Sequence, residues 1–241
     1  MPVMHFHIQW PDDSEANCYS PSQVISDFFT PGQDYPVDDF VSRAREALNL
    51  LGVKPGWRVA DIGCGNGALA CEAALLGAEV EAIDISPALL ALAQIEARDR
   101  RVRIKTQSAG LLSFAYQPHS YDLIVSEFTL HHLPDFWKAV ALKRIFCALK
   151  PGASFYLRDI VYVSMPDGCE RDVEAWADFN IKNQDFSRER VVTHMRDENS
   201  TFGWVIERML ADAGFTLVSV DYHAPLHGTY LLRKPKHGEQ S

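Results

Sequence analysis

The segment Val59-Ala60-Asp61-Ile62-Gly63-Cys64-Gly65-Asn66-Gly67 limits the possible folds more than any other stretch. A short apolar run, Arg58 to Ile62, reads as a strand. Three glycines follow, and then a helix-forming stretch from Ala68 to Leu76 that stops at Gly77. Glycine tolerates positive φ and lets backbone approach a ligand closely. The helix start behind it offers unpaired N–H groups and the positive end of a dipole. A strand, a glycine turn and a helix in that order suit a nucleotide-like ligand at the carboxyl end of a parallel strand.

The alternation continues. Ala78 to Ile83 is a strand, and Ser86-Pro87 opens a helix with a cap and a first-turn proline. Val102 to Lys105 and Tyr121 to Val125 are strands, and Phe136 to Leu149 is a helix. Lys150-Pro151-Gly152 turns into a strand from Ser154 to Leu157. Such a pattern predicts an α/β fold with parallel strands and helices on both faces. Phe202 to Ala213 is a helix stopped by Gly214, with Ser200 or Thr201 as its cap. Phe215 to Tyr222 and Gly228 to Leu232 are the last strands. We expect one domain over 53–233, an insertion near the ligand site at 165–200, and a frayed tail at 234–241. Before it lies an extension, 1–52. Met4, Phe6, Ile8 and Trp10 alternate as in a strand, Pro11 to Ser14 form a turn, and a helix begins at Asp38 or Asp39. That helix carries Phe40, Ala44, Ala47, Leu48 and Leu51 on one face.

The chain of 241 residues suits one large domain with a short extension. A net charge of -9 argues against a polyanionic partner. The basic cluster from Arg98 to Lys105 reads as a solvated helix end and strand start. No apolar run approaches the ~20 residues of a membrane span, and the first residues carry no basic, apolar leader. The five cysteines form no C-x-x-C pair, which suits a reduced, cytoplasmic protein. A small-molecule partner is expected, with no nucleic acid and no membrane, in a monomer or homodimer.

Gly63, Gly65 and Ala68 also satisfy the G-x-G-x-x-G/A dinucleotide pattern, and Asp84 follows at a distance that suits ribose hydroxyls. Asp61, however, puts a carboxylate where a pyrophosphate would be repelled and a cationic amino group welcomed. Tyr121-Asp122-Leu123-Ile124-Val125-Ser126 then leads to Leu130-His131-His132-Leu133-Pro134-Asp135, and Leu149-Lys150-Pro151-Gly152 precedes the next strand. On these ordered motifs, residues about 55 to 160 resemble the class I S-adenosylmethionine (SAM)-dependent methyltransferases, and the last helix and strands do so more loosely.

The resemblance implies a Rossmann-like sheet of seven strands, the last antiparallel. It implies that Gly63, Gly65 and Gly67 cradle the methionine part of SAM, with Asp61 near its amino group. Asp84 would take the ribose hydroxyls, Ile85 would pack on adenine, and Ser126 would line the cofactor. Ser108 stands where the family usually has an acid or amide toward adenine, so a backbone contact from Ala109 or Gly110 would replace it. The expected reaction is methyl transfer to a small metabolite, leaving S-adenosylhomocysteine. Three alternatives stay open: SAM chemistry other than methylation, a SAM sensor without turnover, and an NAD(P) oxidoreductase.

Methyl transfer asks the protein to align an acceptor, exclude water and sometimes remove a proton. His131 and His132 are the candidate bases. Glu127, Arg158, Asp159, His194, Arg196 and Tyr230 are further rim candidates. His5-x-His7 lacks nearby partners for a metal, so no metal is expected. The slot Ser126-Glu127-Phe128-Thr129 lacks the N/D-P-P-Y/F sequence of nucleic-acid methylation. Residues 4 to about 50 resemble small bacterial proteins linked to nitrogen starvation. Tyr19, Phe28, Phe29 and Tyr35 suggest a lid, with Tyr19 as the preferred contact. An aromatic face stabilises a desolvated sulfonium by about 1–2 kcal/mol.

Overall fold

The computed structural model describes residues 4–9, 15–20, 48, 51–183, 187–223, 226–236 and 238. Two strands, β1 (Met4–Gln9) and β2 (Glu15–Ser20), form an antiparallel hairpin in which Tyr19 stands opposite His5. Most of the helix expected from Asp38 or Asp39, along with Phe28, Phe29 and Tyr35, lies outside the described residues. Of that helix, Leu48 is described and is fully buried.

The main sheet begins with β3 (Arg58–Ile62), β4 (Glu79–Asp84), β5 (Ile104–Ser108), β6 (Tyr121–Glu127) and β7 (Leu149–Tyr162). It ends with β9 (Thr216–His223) and β10 (His227–Arg233), in the order β5-β4-β3-β6-β7-β10-β9. The pairs among β3 to β7 are parallel, while β10 runs antiparallel to both β7 and β9. A two-residue strand, β8 (Thr201–Phe202), adds to the far end of β7. The expected seven-stranded plan with an antiparallel last strand is therefore present, with β8 as an addition.

Successive residues of a strand face opposite sides of a sheet, and the central strands are apolar on both. Ala60, Ile62, Ile124, Phe155 and Leu157 face one core, shared with α3 (Asp135–Ala148) and α6 (Gly203–Ala213). Val59, Val80, Ala82, Leu123 and Val125 face the other, with α1 (Ala68–Leu75) and Leu48. Burial on both faces is why these strands read as near-continuous apolar runs. Between β4 and β5 lies α2 (Pro87–Asp99). The Ser86 side chain accepts from the Leu89 N–H at its start, as the cap chemistry predicts.

Two further helices, α4 (Cys169–Asn183) and α5 (Arg188–Asp197), fill the stretch read as an insertion. Trp176 and Val191 pack on Ile160 beyond the end of the central sheet.

Several boundaries differ from expectation. β5 begins later than Val102, and β7 runs from Leu149 instead of Ser154 because pairing with β6 extends its start, while pairing with β10 and β8 extends its end. The start of α6 is capped by Phe202 rather than by Ser200 or Thr201, and carries no side-chain cap. The tail does not fray at its first residue. Lys234 is buried, and its ammonium donates to the Phe146 and Leu149 carbonyls, closing the end of α3. Those carbonyls have no helical partner of their own, which is what draws a cation there.

Candidate functional site

Strand order reverses between β3 and β6, since the chain moves from β3 outward to β5 and then returns to β6. Ligands of such sheets bind beyond the carboxyl ends of the strands at this reversal. The glycine loop lies there. Gly63 and Cys64 donate to the Ile83 carbonyl at 2.8 and 3.0 Å, folding the loop over the end of β4. Gly63, Gly65 and Gly67 all have positive φ, at 80°, 54° and 79°.

The three glycines have different reasons. A Cβ on Gly63 would sit 2.0 Å from the Thr129 hydroxyl, and one on Gly67 would sit 2.6 Å from the Ala93 Cβ. A Cβ on Gly65 would meet no protein atom within 4 Å. Gly63→Ala is therefore expected to lower the unfolding temperature sharply, since the left-handed backbone alone costs about 1–3 kcal/mol. Gly65→Ala should cost only the backbone part, yet weaken SAM binding. Calorimetric unfolding with and without SAM separates the two. Equal behaviour of the two variants would mean that the loop serves packing alone.

Three carboxylates converge beneath this loop. Asp61, at the end of β3, is buried, and its Oδ2 has no hydrogen-bond partner. Burial pushes its pKa up to about 8, and the charges of Glu127 and Asp84 add to the rise. Burial also raises Glu127, against the pull of the Arg158 guanidinium. Asp84 is raised by burial too, although its oxygens accept from Gly65 N (3.0 Å) and Ser86 N (2.8 Å). A well of buried acids with one orphaned oxygen suits a cation. The sulfonium and ammonium of SAM meet that need, whereas the pyrophosphate of NAD would add negative charge. The residues present thus fit SAM.

Ile85, next to Asp84, leaves half of its side chain exposed and packs on Gly110. Ser108 ends β5 and is exposed, opposite Asp84 in register. The Ala109 N–H is given to the Asp84 carbonyl, and the Gly110 N–H to the Ser113 hydroxyl. Ser126 is buried, and its hydroxyl donates to the Ile62 carbonyl, tying β6 to β3. Tyr19 is described by its backbone position in β2 alone.

His131 and His132 form a short 3-10 turn after β6. His131 is buried, and its Nδ1 meets Asp159 Oδ1 while its Nε2 lies 2.7 Å from Glu198 Oε2. Burial opposes a charged ring, but Asp159 and Glu198 outweigh it and push the pKa up to about 9. An imidazolium has no lone pair, so His131 in this state is a poor base. Asp159, by contrast, is held below the usual carboxylate range by His131 and by the Ile160 N–H, despite its burial. It also accepts from Leu130 N at 2.7 Å. His132 is half-buried, with Nδ1 3.5 Å from the same Glu198 oxygen.

The segment after α5 is sewn to this turn. Asn199 N donates to the His131 carbonyl at 2.8 Å, its side chain donates to the His132 carbonyl, and buried Lys138 bridges Asp135 and the Asn199 carbonyl.

Of the rim candidates, Glu127, Arg158 and Asp159 lie at the strand ends of the site. Tyr230 instead belongs to the core, edge-on to Tyr222. Arg196 is exposed and pairs with its neighbour Asp197. The side chain of His194 is outside the described set. Sequence reasoning missed Phe128, Thr129 and Glu198. Phe128 has a positive φ of 49° and sits between the Arg158 guanidinium (5.0 Å) and the His227 ring (5.3 Å). Backbone strain of this kind gathers at functional sites, but a phenylalanine gives no sign of it in sequence.

Residues 59–152 match the family described as a methyltransferase domain, and residues 5–54 match the nitrogen starvation-induced protein NitG. The ubiquinone biosynthesis O-methyltransferase of Xanthomonas campestris is 37% identical over 121 residues, covering 49% of this chain and 46% of that protein. The 27-O-demethylrifamycin SV methyltransferase of Amycolatopsis mediterranei is 30% identical over 146 residues, covering 57% of this chain and 52% of that one. The chain thus spans about half the length of these relatives. Among solved structures, a SAM-dependent methyltransferase from Aquifex aeolicus superposes with a TM-score of 0.60 at 17% identity, over 83% of this chain and 94% of that one. The cyclase SpnF does so with a TM-score of 0.65 at 15% identity, over 86% and 85%. No helix among the described residues is long and apolar enough to cross a membrane. Loop, strand order and sequence matches agree: residues 5–54 are similar to NitG, and residues 59–152 are similar to a methyltransferase domain, on a sheet of the kind found in solved SAM-dependent methyltransferases.

Proposed function

We propose that this protein transfers the methyl group of SAM to a hydroxyl of a small metabolite, leaving S-adenosylhomocysteine. The observation that carries the reading is the buried acid well of Asp61, Asp84 and Glu127 under a left-handed glycine loop. An oxygen acceptor is supported by the relatives, two of which are named for O-methylation. The fold alone does not choose the reaction, since one neighbour of similar fold is a cyclase.

SAM supplies an already activated methyl group. The chain's part is to bind and orient. Gly65 gives open backbone to the methionine arm, Asp61 takes its ammonium, and Asp84 takes the ribose hydroxyls through the lone pairs its backbone contacts leave over. Ile85 offers an apolar surface to adenine, beside the exposed Ser108 and the Ala109–Gly110 backbone. Ser126 holds β6 against β3, so that its part is to fix the floor of the site. Where the acceptor must lose a proton, the cluster of His131, His132, Asp159 and Glu198, on the turn that follows β6, is the candidate to take it. The NitG-like segment, with Tyr19, is assigned as a lid that excludes water. Cys64, Cys71, Cys147 and Cys169 are free thiols, which suits the cytoplasm.

Thermal unfolding with SAM, S-adenosylhomocysteine and NAD in parallel tests the reading. A ligand at 100 times its dissociation constant adds about 2.7 kcal/mol, roughly 5–10 °C for a chain of this size. We expect both sulfur ligands to stabilise the protein, Asp84→Ala to remove the effect, and labelled methyl to reach a panel of hydroxylated metabolites. Stabilisation by NAD alone would overturn it.

A further inference from the structure

His131, His132 and Glu198 present three ligand atoms that all lie within 4.8 Å of one another. We propose that these residues form a binding site for a first-row divalent metal ion, with zinc as the ion whose chemistry they match best. Two imidazoles and one carboxylate are a donor set of catalytic zinc sites. Donors bound to one zinc at about 2.0–2.2 Å sit roughly 3.4 Å apart by tetrahedral geometry. Here Glu198 Oε2 lies 2.7 Å from His131 Nε2 and 3.5 Å from His132 Nδ1, so shifts of about an ångström or less admit the ion.

A second observation points the same way. Metal-binding histidines give their other ring N–H to a carboxylate, which fixes the ring and its free nitrogen. Asp159 does this for His131 Nδ1, and a bound ion would displace the Nε2 proton that His131 shares with Glu198, releasing it to solvent. Asp159 is itself fixed by the N–H groups of Leu130, His131 and Ile160. Glu198 is brought in by the Asn199 contacts to both histidine carbonyls. First ligands and the groups behind them are therefore both in place. His131 is buried, while His132 and Glu198 retain some exposure, giving the ion a face toward solvent. A hydroxyl bound there would lose its proton more readily. That role rests on the methyltransferase reading; ion binding does not.

The test uses the full chain, free of affinity tag and stripped with a chelator. Zinc is titrated calorimetrically, and cobalt is followed by its visible absorption. We expect one equivalent to bind, with the cobalt spectrum of a low-coordinate nitrogen and oxygen site. Glu198→Gln and His132→Asn should each weaken binding at least ~10-fold. His5→Asn with His7→Asn should leave it unchanged. The SAM-induced rise in unfolding temperature, measured on the same samples, shows that the variants are folded and reports separately on the cofactor site. Absence of zinc uptake by the wild-type chain, or uptake insensitive to Glu198→Gln and His132→Asn, would overturn the proposal. Loss of uptake in the His5/His7 variant alone would do the same.

Discussion

Asp61→Asn is expected to make the free protein more stable and to cripple its binding of SAM. The Asp61 carboxyl is buried among other acids, and its pKa rises from 3.8 to about 8. Above pH 4 the unfolded chain has released this proton while the folded chain still holds it. The folded state is therefore fully favoured by this group below pH 4, and the advantage is lost as pH rises toward 8. Each pKa unit is worth about 1.4 kcal/mol, so removing the charge should return on the order of 2–4 kcal/mol near pH 8, after allowance for the poorly satisfied amide. That is roughly 4–15 °C in unfolding temperature. The fall in stability between pH 5 and 8 should also flatten. On the proposed reading the same change removes the counter-charge of the ligand's ammonium, and a charged hydrogen bond of ~2 kcal/mol corresponds to about 30-fold in affinity. Scanning calorimetry across pH and titration calorimetry with SAM read both effects. A destabilised variant with unchanged SAM affinity would show that Asp61 belongs to the core and not to the ligand.

Asp159→Ala is expected to have the opposite sign. Asp159 is fully enclosed and neutralises the His131 imidazolium while accepting from the Leu130, His131 and Ile160 N–H groups. Removing one partner of a buried ion pair costs about 3–5 kcal/mol, because the remaining charge and donors stay buried. We expect a loss of roughly 6–20 °C in unfolding temperature, with Asp159→Asn milder because its amide oxygen still accepts. The consequence should extend to the insertion, whose end is tied to this turn through Glu198 and Asn199. Hydrogen exchange should show residues 187–200 opening more often in the variant. A loss below ~1 kcal/mol would mean that the pair adds little beyond its geometry.

The loop and its acids were legible because they come from consecutive βα units. Asp61, Gly63, Gly65, Gly67, Asp84 and Ile85 lie within 25 positions, and each is placed by local rules: where a strand ends, where φ turns positive, where a cap begins. Strand identity was legible for a related reason, since strands buried on both faces are apolar throughout. Strand length was not. β7 reaches from Leu149 to Tyr162 because of its partners on either side, and no property of those residues announces it.

The histidine turn shows the limit most clearly. The sequence offered two adjacent histidines as bases at a rim. The fold buries one between carboxylates from β7 and from the end of the insertion, 28 and 67 positions away. Lys234 is a similar case, a residue of an apparent tail that closes a helix 85 positions earlier. By itself, the sequence determined the sheet and the glycine loop, because these depend on periodicity and on backbone chemistry between near neighbours. Tertiary structure alone decided the protonation of His131, the partner of Asp159 and the position of Glu198. Burial and Coulomb interactions depend on distance in space, and a chain order does not carry that distance.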